Sequence, residues 1–223
     1  MEPTLVPRVK VCCIQSPAEA GSAIAAGASA LGLVSEMPSG PGVIPAELIA
    51  AIAAAVPPPV APFLLTCLQD AASLAAQQRR LRVGTLQLCD RLGPGALAEL
   101  RAALPGVRLV QVVHVTGPES VDEAREVASE VDAVLLDSGN PALPVKELGG
   151  TGRRHDWSLS RRIREALAVP VFLAGGLTAD NVAEAIAAVG PFALDVCGGV
   201  RTAGGLDETR LRAFFRAVRA ASG

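Results

Sequence analysis

Two apolar runs of this chain each end in a reactive polar side chain. Val9-Lys10-Val11-Cys12-Cys13-Ile14 carries a thiol, and Ala133-Val134-Leu135-Leu136-Asp137 closes on a carboxyl just before a turn. In parallel sheets the C-terminal strand ends face the side where ligands bind, so both groups are candidates for chemistry. A thiol and a carboxyl looking into one cavity supply a base and an acid, the minimum an isomerisation needs. Side chains alternate along a strand, so Lys10 and Cys12 share one side, and Cys13 is expected to point outward against a helix. A small buried hydrophobe is the competing role for Cys12. For Asp137, which precedes Ser138-Gly139-Asn140-Pro141, it is a turn cap. A partly desolvated carboxyl at Asp137 would have a raised pKa and could donate a proton near neutrality.

Three glycine clusters follow later strands: Gly149-Gly150-Thr151-Gly152, Gly175-Gly176, and Gly198-Gly199. Glycine lets backbone N–H groups approach an anion, and barrels often hold phosphate at the turns after strands seven and eight. Gly150, Gly152, Gly175, Gly176, Gly198 and Gly199 are therefore candidate phosphate-binding positions, with ordinary turns as the alternative. Cys12, Cys89, Cys197 and His114 fall at strand ends on the same face, which raises the question of zinc. They are dispersed, with no Cys-x-x-Cys or His-x-x-x-His pair, and no metal is expected. Arg153-Arg154-His155 reads as a solvated loop or an anion contact, and Trp157 as core beneath the sixth helix.

These groups need a scaffold that brings strand ends together. Strands are expected near 8–13, 29–34, 60–66, 84–88, 107–113, 132–137, 169–174 and 193–197. Helices are expected near 17–27, 45–55, 70–80, 94–103, 120–130, 158–167, 179–188 and 207–220. Ser16-Pro17-Ala18-Glu19 and Ser120-Val121-Asp122-Glu123 read as helix starts with a capping box, and Asp156 and Thr178 as N-caps. Eight βα units in 223 residues without a composition break predict one domain, 1–223, folded as a single (β/α)8 TIM barrel with parallel strands. An open doubly wound sheet is the rival. No Gly-x-Gly-x-x-Gly follows the first strand, which weakens a dinucleotide-binding version.

Composition narrows the partners. Half the residues are apolar and only 3% aromatic, with no Tyr. The core must be packed from Ala, Val, Leu and Ile, as suits parallel strands covered on both faces. A net charge of −2 argues against nucleic acid or an acidic membrane. The uncharged stretch from Leu48 to Gln69 is cut by Pro57, Pro58, Pro59 and Pro62, which speaks against a membrane span. Five cysteines and a start, Met1-Glu2-Pro3, that runs almost directly into the first strand suggest reduced thiols in a cytoplasmic protein.

The same residues resemble the phosphoribosylanthranilate isomerase family, along nearly the whole chain and in order. Lys10-Val11-Cys12 looks like its first strand, Gly27-Ala28-Ser29-Ala30-Leu31-Gly32 like its second, and Leu86-Gln87-Leu88 like its Gln-Leu-His segment. Asp132-Ala133-Val134-Leu135-Leu136-Asp137 looks like the strand carrying its acid. The most specific matches are Gly149-Gly150-Thr151-Gly152 with Asp156-Trp157, and Leu173-Ala174-Gly175-Gly176-Leu177 with Asn181-Val182. The resemblance implies an Amadori rearrangement in tryptophan biosynthesis, with Cys12 as general base and Asp137 as general acid. It implies no cofactor and a small phosphorylated sugar as partner, bound with help from Lys10, Gln87, His114 and the glycine loops, by a monomer or homodimer. A thiol acts as a base only as thiolate, so nearby positive charge is expected, and Lys10 could supply it.

The chain departs from the family pattern at the other end of the substrate. The Gly after the base is Cys13, and the Thr beyond it is Gln15. The family's Lys-Ser-Pro-Arg-type loop, whose Arg holds the anthranilate carboxylate, reads Met37-Pro38-Ser39-Gly40-Pro41-Gly42, without a cation. The fourth-strand His is Cys89, the Ser pair after the eighth strand is Cys197-Gly198, and the Glu soon after is Arg201. Loss of that Arg should cost substantial affinity unless His114, Arg153 or Arg201 substitutes. Two alternatives stay open: the same chemistry on another N-substituted phosphoribosyl amine, or a sugar-phosphate-binding barrel without turnover.

Overall fold

A computed structural model describes residues 6–221. Eight parallel strands close into a barrel in sequence order: β1 (Arg8–Val11), β2 (Ala30–Val34), β3 (Ala61–Thr66), β4 (Thr85–Leu88), β5 (Arg108–His114), β6 (Ala133–Asp137), β7 (Val171–Leu173) and β8 (Ala193–Val196), with β8 pairing back onto β1. Between them run α1 (Pro17–Ala26), α2 (Ala46–Ala55), α3 (Ala71–Leu81), α4 (Ala96–Ala103), α5 (Ser120–Ala128), α6 (Trp157–Ala166) and α7 (Val182–Val189). After β8 come a 3-10 turn (Gly198–Val200), an unforeseen hairpin of β9 (Arg201–Thr202) and β10 (Gly205–Leu206), and α8 (Glu208–Ala220). The fold is the expected (β/α)8 barrel.

Two apolar layers hold it. Strand residues that face outward, such as Leu31, Leu33, Leu64, Leu86 and Leu136, pack with helix residues such as Ile49, Leu74, Leu100 and Phe214. Every second residue faces inward and fills the lumen: Ala30, Phe63, Leu65, Val110, Val112, Ala133, Leu135, Phe172 and Ala193. The rings of Phe63 and Phe172, 5.8 Å apart, belong to this interior. At the C-terminal ends of β1, β4, β6 and β8 the inward positions turn polar, with Cys12, Gln87, Asp137 and Asp195, and there the lumen becomes a site.

Local signals account for the helix starts unevenly. Ser16 caps α1 by accepting from the Glu19 N–H at 3.1 Å, while the Glu19 carboxylate reaches back to the Gln15 N–H at 2.9 Å. Asp156 caps α6 through the Ser158 N–H. Ser120 is not a cap: it is the first helical residue, and its hydroxyl bridges the Thr116 N–H and the His114 carbonyl, tying the loop after β5. Thr178 is not one either. α7 begins at Val182 behind Asn181, whose side chain ties the Thr178 N–H to the Gly176 carbonyl. The Leu48–Gln69 stretch divides into α2, a proline turn and β3, and among the described residues no helix is long and apolar enough to cross a membrane.

Candidate active site

Inward-facing residues at the ends of β1, β4, β6 and β8, and the loops beyond them, surround one cavity of about 370 Å³ at the C-terminal mouth. Cys12 and Asp137 both line it. Cys12 directly follows β1, its N–H bonded to the Val196 carbonyl at 2.8 Å, so β8 fixes its position. Its thiol needs the bare backbone of Gly32 on β2: a Cβ there would lie 2.8 Å from Cys12 Sγ and 3.1 Å from Lys10 Nζ. The sulfur and the ammonium thus converge on one spot.

Lys10 is fully buried, and its Nζ donates to an Asp195 carboxylate oxygen at 2.8 Å. Burial disfavours its charge, but Asp195 outweighs that and holds the ammonium above the usual lysine range. Lys10 does not line the cavity; Asp195 does, and its Oδ1 is buried without a hydrogen-bond partner. Lys10 therefore acts on the site through charge rather than contact.

Asp137 ends β6 almost wholly enclosed. Burial is the main reason its pKa is pushed up to about 6, and the nearby Asp195 charge adds to the rise. The Ser138 N–H, donating to Oδ1 at 2.7 Å, and Lys10 oppose it. Gly149 passes over the carboxyl with φ near +141, and a Cβ there would lie 2.8 Å from Oδ2, so a side chain at this position would block the acid. A carboxyl held this way keeps a proton to donate near neutral pH.

Gly150, Gly152, Gly175, Gly176, Gly198 and Gly199 all line the cavity. The turns after β7 and β8 lie directly on each other: a Cβ on Gly199 would sit 1.9 Å from the Leu177 carbonyl oxygen, whereas one on Gly198 would meet open space. Gly176, at φ +62, is pressed against the backbone of Gly152 and Arg153. Gln87 also lines the cavity, with a buried Oε1 that has no partner, an acceptor waiting for a donor.

Several expectations need correction. Cys13 does not point outward: its φ of +60 breaks the alternation and swings its side chain into the cavity. His114 does not line the cavity. It is buried beneath Gly139, where a Cβ would touch its ring at 2.5 Å, and burial lowers its pKa. Arg153 pairs with Glu147, and Arg201 is held by Glu19 and the Cys13 carbonyl; neither lines the cavity. Arg210, in the first turn of α8, is the cation that does, and it was not foreseen. Around the Met37–Gly42 loop the lining carries no cation. Among the described residues, no group of three or more His, Cys, Asp or Glu side chains is placed to hold a metal.

A family profile described as "N-(5'phosphoribosyl)anthranilate (PRA) isomerase" matches residues 9–217. The chain belongs to the phosphoribosylanthranilate isomerase family. Curated relatives named N-(5′-phosphoribosyl)anthranilate isomerase include one from Methanocella arvoryzae, 35% identical over 95% of this chain and 98% of its own, and one from Haloferax volcanii, 38% identical over 97% and 95%. Among solved structures, the phosphoribosyl anthranilate isomerase of Thermus thermophilus superposes with a TM-score of 0.80 at 27% identity, covering 96% of this chain and 98% of that one. That of Thermotoga maritima gives 0.82 at 25%, covering 96% and 99%. As a phosphoribosylanthranilate isomerase family member, the chain is an isomerase. Besides Arg210, sequence reasoning passed over Asp195 and Gly32. A lysine on an inward strand position needs a buried anion, and Asp195, in register with Lys10 on β8, is the one available.

Proposed function

We propose that this chain catalyses the Amadori rearrangement of N-(5′-phosphoribosyl)anthranilate in tryptophan biosynthesis. The reading rests on one observation above the rest: a buried thiol and a carboxyl with a raised pKa open onto the same cavity, beside stacked glycine turns. Asp137 protonates the ribose ring oxygen, the C1′–O bond breaks, and the glycosyl nitrogen's lone pair forms a Schiff-base cation. The Cys12 thiolate then removes the C2′ proton, giving an enolamine that tautomerises to the 1-deoxyribulose ketone. The phosphate rests on Gly175–Gly176 and Gly198–Gly199, with Arg210 at its side. Gln87 and the open oxygen of Asp195 accept hydrogen bonds from ribose hydroxyls, since an unsatisfied buried acceptor is costly.

The chain works as one domain, 1–223, in the cytoplasm, as a monomer or homodimer, and without nucleic acid or a cofactor. Complementation of a tryptophan auxotroph lacking this isomerase tests the function. Growth that is lost on Cys12→Ala and on Asp137→Asn is the expected result. Absence of growth with the unaltered, folded chain overturns the reading.

A further inference from the structure

The mechanism leaves three thiols of the cavity unused: Cys13, Cys89 and Cys197. Cys13 and Cys197 come from the adjacent strand ends of β1 and β8, and their Sγ atoms lie 2.9 Å apart. A bonded pair rests at about 2.05 Å, so roughly 0.9 Å separates the two thiols from a disulfide. Nothing lies between them, and the strand pairing that fixes Cys12 against Val196 keeps the two backbones side by side.

We propose that Cys13 and Cys197 form a reversible disulfide that switches the site off, a modification site built from two thiols at the mouth of the barrel. The oxidant is a small-molecule disulfide. The Cys197 thiolate attacks one sulfur of the reagent, whose S–S bond breaks and releases one small thiolate. The Cys13 thiol then loses its proton and attacks the Cys197 sulfur, expelling the second small thiol. Two protein thiols are oxidised, and one reagent disulfide is reduced to two thiols.

The surroundings favour this order of events. Cys197 is partly exposed while Cys13 is buried, so the reagent reaches Cys197 first. The hydrogen bond with Cys13 and the Arg201 guanidinium hold Cys197 below the usual thiol range, whereas its hydrogen-bonding to Cys12 and Cys197 pushes Cys13 up. A thiolate beside a cation, close to a resolving thiol, is the arrangement in which exchange ends in an internal disulfide.

Closure of the bond reaches both halves of the site. The Cys13 thiol donates to the Pro41 carbonyl at 3.6 Å, and its Cβ fits against Gly42, where a second Cβ would clash at 2.5 Å. Forming the disulfide removes that donor from the loop over the cavity, strains the residue next to Cys12, and pulls on the residue before Gly198. The loss of turnover rests on the proposed isomerase function; the bond itself does not.

The test treats the purified chain with glutathione disulfide and follows thiols and activity together. Alkylatable thiols are expected to fall from five to three with loss of two hydrogens and no adduct, and a linked Cys13–Cys197 peptide should appear. Isomerase activity should fall on the order of 100-fold, the scale of a displaced catalytic group, and return with dithiothreitol. Cys197→Ser and Cys13→Ser should each keep whatever activity they have through the same treatment. Five thiols remaining, a stable glutathione adduct, a Cys12-containing bridge, or inactivation of folded Cys197→Ser at the unaltered chain's rate would overturn the proposal. Thiol count and peptide mapping need no substrate, so they remain decisive even if the chain fails to turn over phosphoribosylanthranilate.

Discussion

Lys10 and Asp195 form an ion pair, 2.8 Å from nitrogen to oxygen, inside the barrel, with Asp195 at the cavity wall and Lys10 wholly buried behind it. Its cation lies toward Cys12, and its anion raises the proton affinity of Asp137. On Asp137 the two partners oppose each other, Asp195 raising its proton affinity and Lys10 lowering it.

Removing one partner strands the other charge in the lumen. Lys10→Met and Asp195→Asn should each lower unfolding free energy by about 3–5 kcal/mol, as for other broken buried pairs. Urea denaturation monitored by the fluorescence of Trp157 measures this. A loss below about 1 kcal/mol for both would mean that water reaches the pair.

The pH profile follows from Asp137. The acid works only when protonated, so kcat/KM should decline as pH rises through about 6. In Asp137→Asn that limb should vanish and turnover fall by about 10²- to 10⁴-fold. Stability carries the same sign. The folded pKa lies above the unfolded one near 3.9, so the contribution is complete below about 4 and is lost as pH climbs through about 6. Denaturation of the unaltered chain and Asp137→Asn across pH 4–7 should show a steeper decline for the former.

The two β8 glycines should behave differently. Gly199→Ala places a methyl group where the Leu177 carbonyl stands, so KM should rise on the order of 10- to 100-fold. Gly198→Ala has room and should cost much less. Steady-state kinetics on both, with Gly176→Val as a second probe of the same cradle, checks the phosphate placement; equal, small effects would refute it.

The cations separate in the same way. Arg210→Ala should raise KM about tenfold, the loss of one charge-assisted contact. Arg153→Ala, whose partner is Glu147 and which stays outside the cavity, should leave KM within about twofold. Reversed sensitivities would place the phosphate elsewhere.

The barrel was legible because its signals are periodic: β-branched runs alternating with Ala- and Leu-rich helices leave few architectures. Cys12 and Asp137 were legible because each ends such a run on the inward phase. Cys13 was misjudged for the same reason, since strand alternation stops where φ becomes positive, and nothing local in a Cys marks that turn. The family's glycine at this place was the available hint. His114 was overrated because strand-end position does not tell a cavity wall from the packing beneath a loop. Arg210 could not be found by strand logic, because it reaches the mouth from α8 only after the β9–β10 hairpin has turned the chain.

The contact between Gly199 and Leu177 bears on how such a protein can change over time. With no room for even one methyl group, the last two turns behave as a single moulded part, and enlarging one demands retreat by its neighbour. Drift in that corner must come in matched steps, and the Met37–Gly42 loop shares the constraint where Gly42 abuts Cys13 and Pro41 abuts Gly150.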